Sequence, residues 1–153
     1  MGGARNETVP DLVITRLFDA PRAMVWKAWT DPKLTLRWLG PRHHPAVRYQ
    51  NDARPGGAWS ALLRPQDGGP DLGLGGVYHE IVEPERLVFS FAWANDHPAQ
   101  GHDTLVTIEF TDLGDQTRMV FRQTGLPSQG EVEGHTEGWT SAFERLDDAL
   151  NRR

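Results

Sequence analysis

Asp19-Ala20-Pro21-Arg22-Ala23-Met24-Val25-Trp26-Lys27-Ala28-Trp29-Thr30-Asp31-Pro32 near one end, and Gly134-His135-Thr136-Glu137-Gly138-Trp139 near the other, decide how this chain is read. In the first stretch Pro21 suits the opening turn of a helix, where a missing N–H costs nothing. Met24, Val25, Ala28 and Trp29 then share one helical face. Asp31 before Pro32 is an N-cap followed by a first-turn proline, so a second short helix runs to about Leu39 and stops at Gly40-Pro41. The second stretch opens a long amphipathic helix. Ser128-x-x-Glu131 has capping-box spacing, and Val132, His135, Trp139, Ala142, Phe143, Leu146, Ala149 and Leu150 form its apolar stripe. Gly130, Gly134 and Gly138 each weaken the front of that helix by up to ~1 kcal/mol relative to alanine, so it must lean on a sheet.

The rest of the chain reads as strands. Leu12 to Phe18 forms the first, and a meander follows over roughly 45–51, 57–64, 75–83, 86–94, 103–111 and 116–124. Residues 66–74 and 95–102 read as loops, and residues 1–10 as a frayed tail before one domain over 11–153. Two hairpins set side-chain directions. A tight turn at Glu83-Pro84-Glu85-Arg86 places Val82 opposite Leu87, Glu80 opposite Phe89 and Tyr78 opposite Phe91. Leu87, Phe89, Phe91 and Trp93 lie on one face by period two, and that face is the buried one, so Glu80 and Tyr78 are expected to point inward. A bulge between residues 76 and 83 would invert this. Around Gly114-Asp115 the same construction pairs Val106 with Gln123, Ile108 with Phe121 and Phe110 with Met119. Gln123 therefore also faces inward, while Arg122, Glu109 and His79 face out.

Composition narrows the function. The chain has 153 residues and a formal net charge of -5, with no basic run, which argues against nucleic acid and anionic membranes. No cysteine is present, so disulfides, thiolate metal sites and thiol nucleophiles are excluded. No apolar stretch reaches the ~20 residues of a membrane span, and no signal-peptide core precedes the first strand; a cytoplasmic protein is expected. Six Trp against two Tyr favour a bulky core or an aromatic-lined cavity. His43 and His44 are adjacent and would face opposite ways, and His97 and His102 sit in an expected loop, so no metal is expected. The Gly-rich segment at 68–76 lacks the Gly-Lys-Ser/Thr ending of a phosphate loop, and no Gly-x-Ser-x-Gly elbow occurs; no cofactor is expected.

A sheet with a long helix laid along it encloses a pocket, and the candidate residues follow from that. Trp38, Trp59, Tyr78, Phe91, Trp93 and Trp139 are candidate wall residues, with core filling as the alternative for the tryptophans. Glu80, if desolvated, is a candidate general acid or base; otherwise it is a carboxylate held by a fixed partner. His135, one turn before Trp139, either orients the polar end of a ligand or serves as a satisfied structural histidine, and Gln123 offers an amide on the same wall.

Four motifs in order carry a resemblance: Asp19-Ala20-Pro21 with Val25-Trp26-x-Ala28-Trp29-Thr30-Asp31-Pro32; Arg54-Pro55-Gly56-Gly57-x-Trp59; Gly76-Val77-Tyr78-x-Glu80-Ile81-x-x-Pro84-Glu85-Arg86-Leu87-Val88-Phe89; and Gly134-His135-x-x-Gly138-Trp139. Over roughly residues 11–151 the chain resembles bacterial proteins related to the C-terminal domain of the activator of the heat-shock protein 90 ATPase, within the START-like (SRPBCC) superfamily. The resemblance implies an α+β helix-grip fold, shared with the birch pollen allergen: a curved antiparallel sheet around a long C-terminal helix, with two short helices closing one end. It leaves function open, since fold alone does not choose among carriers, receptors and cyclases. The lead reading is a non-enzymatic carrier or sensor of a small hydrophobic or amphipathic molecule. A cyclase, hydrolase or isomerase using Glu80 or His135 is the second, and a chaperone-accessory role the third. Strand edges and aromatic patches are compatible with a homodimer.

Overall fold

β1 (Leu12–Phe18) leads into α1 (Arg22–Thr30) and α2 (Pro32–Thr35). Six strands follow: β2 (Ala46–Asn51), β3 (Ala58–Leu63), β4 (Leu72–Val82), β5 (Arg86–Trp93), β6 (Thr104–Asp112) and β7 (Thr117–Thr124). The helix α3 (Gln129–Asn151) closes the chain. This computed structural model describes residues 9–94 and 103–151; residues 1–8 of the tail expected over 1–10, and the loop over 95–102 with His97 and His102, lie outside the described residues. The seven strands form one antiparallel sheet in the order β1-β7-β6-β5-β4-β3-β2, curved about α3. The first strand thus pairs with the last, and the two short helices bridge from one sheet edge to the other.

Local chemistry explains the boundaries. The Asp31 carboxylate accepts from the Lys33 N–H at 3.0 Å, capping α2 with Pro32 in its first turn. Helical geometry ends at Thr35, short of the expected Leu39, and the chain continues through tight turns. Ser128 Oγ accepts from the Glu131 N–H at 3.1 Å and starts α3. β4 begins at Leu72, inside the segment expected to be a loop. Gly73, within that segment, serves close approach rather than a turn, since a Cβ there would stand 3.2 Å from Ala94 Cβ; in the expected strand a Cβ on Gly76 would stand 1.9 Å from the Ser90 carbonyl oxygen on β5.

The stripe of α3 meets the concave face of the sheet in an aromatic core. Trp29 packs edge-on to Trp38 at 4.7 Å, and Phe121 lies 4.7 Å from Trp139. Phe143 is fully buried between Trp29, Trp38 and Phe121. A second contact system ties α3 to the segment after α2. The Arg145 guanidinium donates to the carbonyls of Arg37 (3.1 Å), Leu39 (3.0 Å) and Gly40 (2.7 Å). Burial, and secondarily the charge of Arg42, lowers its pKa. Gly40 turns the chain there at φ +89°, and a Cβ on it would stand 2.5 Å from the His44 carbonyl oxygen.

Removing Arg145 takes a donor from three carbonyls, of which that of Leu39 keeps the Ala46 N–H at 3.0 Å. Arg145→Met is expected to lower the unfolding free energy by about 2 kcal/mol in urea titrations. Arg42→Ala, which breaks an exposed pair with Asp148 (3.3 Å), should change it by less than about 1 kcal/mol.

Candidate functional site

A cavity of about 200 Å³ lies between α3, the concave face of the sheet and the turn after α2. Leu39, Gly40, Pro41 and His44 form its rim, held by the Arg145 contacts. Leu63, Leu72 and Leu74 from β3 and β4 line one side, and Phe91 and Trp93 from β5 another. α3 contributes Gly134, His135, Gly138 and Trp139. No carboxylate, ammonium or guanidinium group is among these lining residues.

A directional hydrogen-bond chain fixes the polar side chains of this wall. The Trp93 indole N–H donates to His135 Nε2 at 3.1 Å. An indole nitrogen only donates, so Nε2 is the accepting nitrogen and the neutral ring carries its proton on Nδ1. That N–H donates to Gln123 Oε1 at 3.1 Å, and the Trp139 indole N–H donates to the same oxygen at 3.0 Å. Gln123 Nε2 donates to Thr104 Oγ1 (2.8 Å), whose hydroxyl donates to the Phe91 carbonyl (3.0 Å). Glu131 Oε1 stands 3.6 Å from His135 Nε2. Gln123 itself is fully buried behind the wall, so it positions His135 and Trp139 and does not line the cavity.

Beyond Trp139 and Leu39 the interior narrows to a void of about 20 Å³, bordered by Trp29, Trp59, Tyr78 and Phe89 among others. Trp29 Nε1 is the one buried side-chain nitrogen or oxygen without a hydrogen-bond partner among the described residues. The Tyr49 and Tyr78 hydroxyls meet at 3.3 Å, and the Asn51 amide donates to the Tyr78 oxygen at 3.0 Å. Burial, then the facing Tyr78 hydroxyl, pushes the Tyr49 hydroxyl far above its ordinary pKa.

The structure distributes the expected site residues over several places. Phe91, Trp93, His135 and Trp139 meet at the cavity, whereas Trp59 and Tyr78 border the inner void. Trp38 is core: it is fully buried, and its indole N–H donates to the Ala28 carbonyl at 2.9 Å. The expected inward direction of Glu80 is overturned, and the alternative, a carboxylate held by a fixed partner, is found. A three-residue turn pairs Val82 with Arg86, one residue tighter than expected, which sets Glu80 opposite Val88 on the outer face. A bulge between Tyr78 and Glu80 then returns Tyr78 to the inner face opposite Phe89. Glu80 accepts from Arg86 Nε at 3.2 and 3.0 Å, and Arg86 also binds Glu109 at 2.7 Å. Reasoning from sequence missed the rim, where Gly40-Pro41 reads only as a helix stop, and the cavity-facing role of Gly134 and Gly138. Their four-residue spacing with His135 and Trp139 was the available signal.

Two outcomes follow from this geometry. Gln123→Leu leaves the His135 and Trp139 N–H groups without their acceptor and takes from Thr104 Oγ1 the N–H it accepts, so it should lower stability by about 2–4 kcal/mol in urea unfolding. Tyr49 supplies a pH dependence. Its pKa is raised on folding, so the unfolded chain loses that proton first; stability is full below about pH 10 and falls above it by up to ~1.4 kcal/mol per pH unit. Urea unfolding at about pH 9 and about pH 11 should show a smaller loss in Tyr49→Phe than in the unaltered protein.

Comparison with known proteins agrees with this architecture. Protein CV1439 from Chromobacterium violaceum superposes with a TM-score of 0.83 at 26% identity, covering 92% of this chain and 96% of that one. A protein from Arthrobacter aurescens gives 0.83 at 27% identity, covering 95% and 88%. An AHSA1 protein from Silicibacter pomeroyi, 23% identical with a TM-score of 0.82 over 93% and 98%, shares the fold. No curated protein matches the sequence. The family described as "Activator of Hsp90 ATPase homolog 1-like protein" matches residues 19–151, and the chain belongs to that family, with its START-like helix-grip fold.

Proposed function

We propose that this protein binds a small hydrophobic or amphipathic molecule in the cavity between the sheet and α3, as a carrier or sensor. The observation that carries the reading is the pair of glycines on the helical wall. Glycine in a helix interior costs ~1 kcal/mol relative to alanine. A Cβ at Gly134 or Gly138 would meet nothing within 4 Å, so packing does not demand glycine at either position. Gly134 is exposed and Gly138 half-buried, and both border the cavity, so the missing side chains keep its helical side open to a guest beside apolar rings.

The chemistry of the wall suits holding rather than proton transfer. Glu80 is remote, on the outer face with Arg86, so the acid–base reading rests on His135 alone. Taking a proton at Nε2 would cost the imidazole its hydrogen bond from Trp93. Apolar burial would supply most of the affinity, which should therefore depend little on salt. Family membership favours a second reading, a chaperone-accessory role, whose measure is a change in the ATPase rate of the bacterial heat-shock protein 90 homologue on adding this protein.

Native mass spectrometry of freshly purified protein tests the first reading. A small-molecule adduct is expected on the unaltered protein and absent from Gly138→Leu, whose side chain would occupy the cavity. An adduct retained undiminished in Gly138→Leu would remove the cavity from the proposal. Gly134→Ala and Gly138→Ala should each raise stability by up to ~1 kcal/mol in urea unfolding, separating the helix's own energetics from the ligand's.

A further inference from the structure

We infer that the occupant is a compact, uncharged aromatic molecule of one or two rings, and that Trp139 sets this limit. The inference rests on the cavity reading above and adds the ligand's class to it. Size comes first. An engineered apolar cavity of about 150 Å³ takes benzene, with its six carbon atoms. At the same filling, the space of about 200 Å³ here takes about eight non-hydrogen atoms. That admits a single substituted ring, with indole at the limit. A long acyl chain or a four-ring skeleton would leave most of its apolar surface outside the mouth, in water, unless the floor gave way.

The floor is held in place. The Trp139 indole is tied by its N–H to Gln123 Oε1 at 3.0 Å and packs on Phe121 at 4.7 Å and Phe143 at 5.7 Å. Behind it only about 20 Å³ remains, bordered by Trp29, Trp59 and Tyr78. A larger guest would have to break the buried Gln123 bond and displace Trp139 from a stack of rings, so the cavity cannot deepen cheaply.

Shape and charge follow from the lining. Phe91 meets Trp93 edge-to-face at 5.4 Å, and His135 at 5.4 Å. Phe91 also meets Trp139 at 6.0 Å, and Trp93 meets His135 at 5.7 Å. A flat ring inserted beside this cluster extends the same edge-to-face packing, which adds to area burial; a saturated ring of equal volume does not. Among the described residues no carboxylate, ammonium or guanidinium group lines the space, so a charged guest would be desolvated beside two imidazoles and no fixed counter-charge.

Isothermal titration of the full chain and of Gly138→Leu with five probes tests this: indole, cresol, cyclohexanol, benzoate and palmitate. Indole and cresol are expected to bind one to one, tighter than cyclohexanol by roughly threefold or more, and to lose roughly tenfold or more of that affinity in Gly138→Leu. Benzoate and palmitate are expected not to bind. Cyclohexanol binding as tightly as indole overturns the aromatic preference. Palmitate or benzoate binding that Gly138→Leu abolishes overturns the size or charge limit and leaves the cavity reading standing. Silence from every probe, or binding that Gly138→Leu leaves unchanged, overturns the ligand class and the cavity reading together. Circular dichroism and urea unfolding of Gly138→Leu establish that the variant is folded, and Gly134→Leu replaces it if it is not.

Discussion

One buried amide joins the two halves of this fold. The side-chain oxygen of Gln123, on β7, accepts from both His135 and Trp139 of α3, while its nitrogen donates to Thr104 on β6. A carbonyl oxygen has two lone pairs, and both are used. The apolar stripe of α3 presses the helix onto the sheet without choosing a rotation, because hydrophobic burial is not directional. The Gln123 bonds choose it. They bring Trp139 over Phe121, turn His135 toward Trp93, and so leave Gly134 and Gly138 at the open side. An apolar residue at position 123 would pack as well and would specify less.

The front of α3 is consequently a compromise between packing and space. From Trp139 onward the helix buries Ala142, Phe143, Leu146 and Leu150 against a dense ring cluster. Before it, the buried stripe is reduced to Val132 and His135, with glycines between. Fewer apolar contacts and lower helical propensity make this the weaker part of the helix, while its polar anchors hold it in one orientation. The rim opposite is secured differently, by Arg145 gripping three carbonyls of the turn after α2. Two walls of one cavity are thus fixed by directional polar contacts, and the space between them survives because neither wall can collapse without breaking those contacts.

The fold was legible because it is written in period and punctuation. The helix stripe, the Asp31-Pro32 cap, the Ser128 cap and the β6–β7 register are all local signals, and they appear in the structure at the residues that carry them. What failed was non-local. Whether residues 72–74 belong to a loop or to a strand depends on pairing with Leu63 on β3 and Trp93 on β5. Whether Trp38 lines a cavity or fills the core depends on where α1 offers the Ala28 carbonyl. The candidate site was half legible for the same reason: residues on one helix turn, His135 and Trp139, were readable together, and the rim that faces them was not.

Glu80 shows how one backbone irregularity redirects chemistry. Strand geometry alternates faces strictly, so a hairpin closed one residue tighter moves every side chain of β4 to the other side. The bulge between Tyr78 and Glu80 confines that inversion to the end of the strand. Tyr78 stays inside among rings and hydroxyls, and Glu80 goes outside, into an exposed ion-pair network with Arg86 and Glu109. Had the bulge been absent with the outer pairing unchanged, Tyr78 would face solvent and the core would lack a ring beside Phe89. The register therefore serves the interior twice: it keeps an aromatic wall continuous, and it keeps a carboxylate away from a space whose lining could not stabilise one. Removing charge from the inside is what makes a chain of neutral donors and acceptors sufficient to order this cavity.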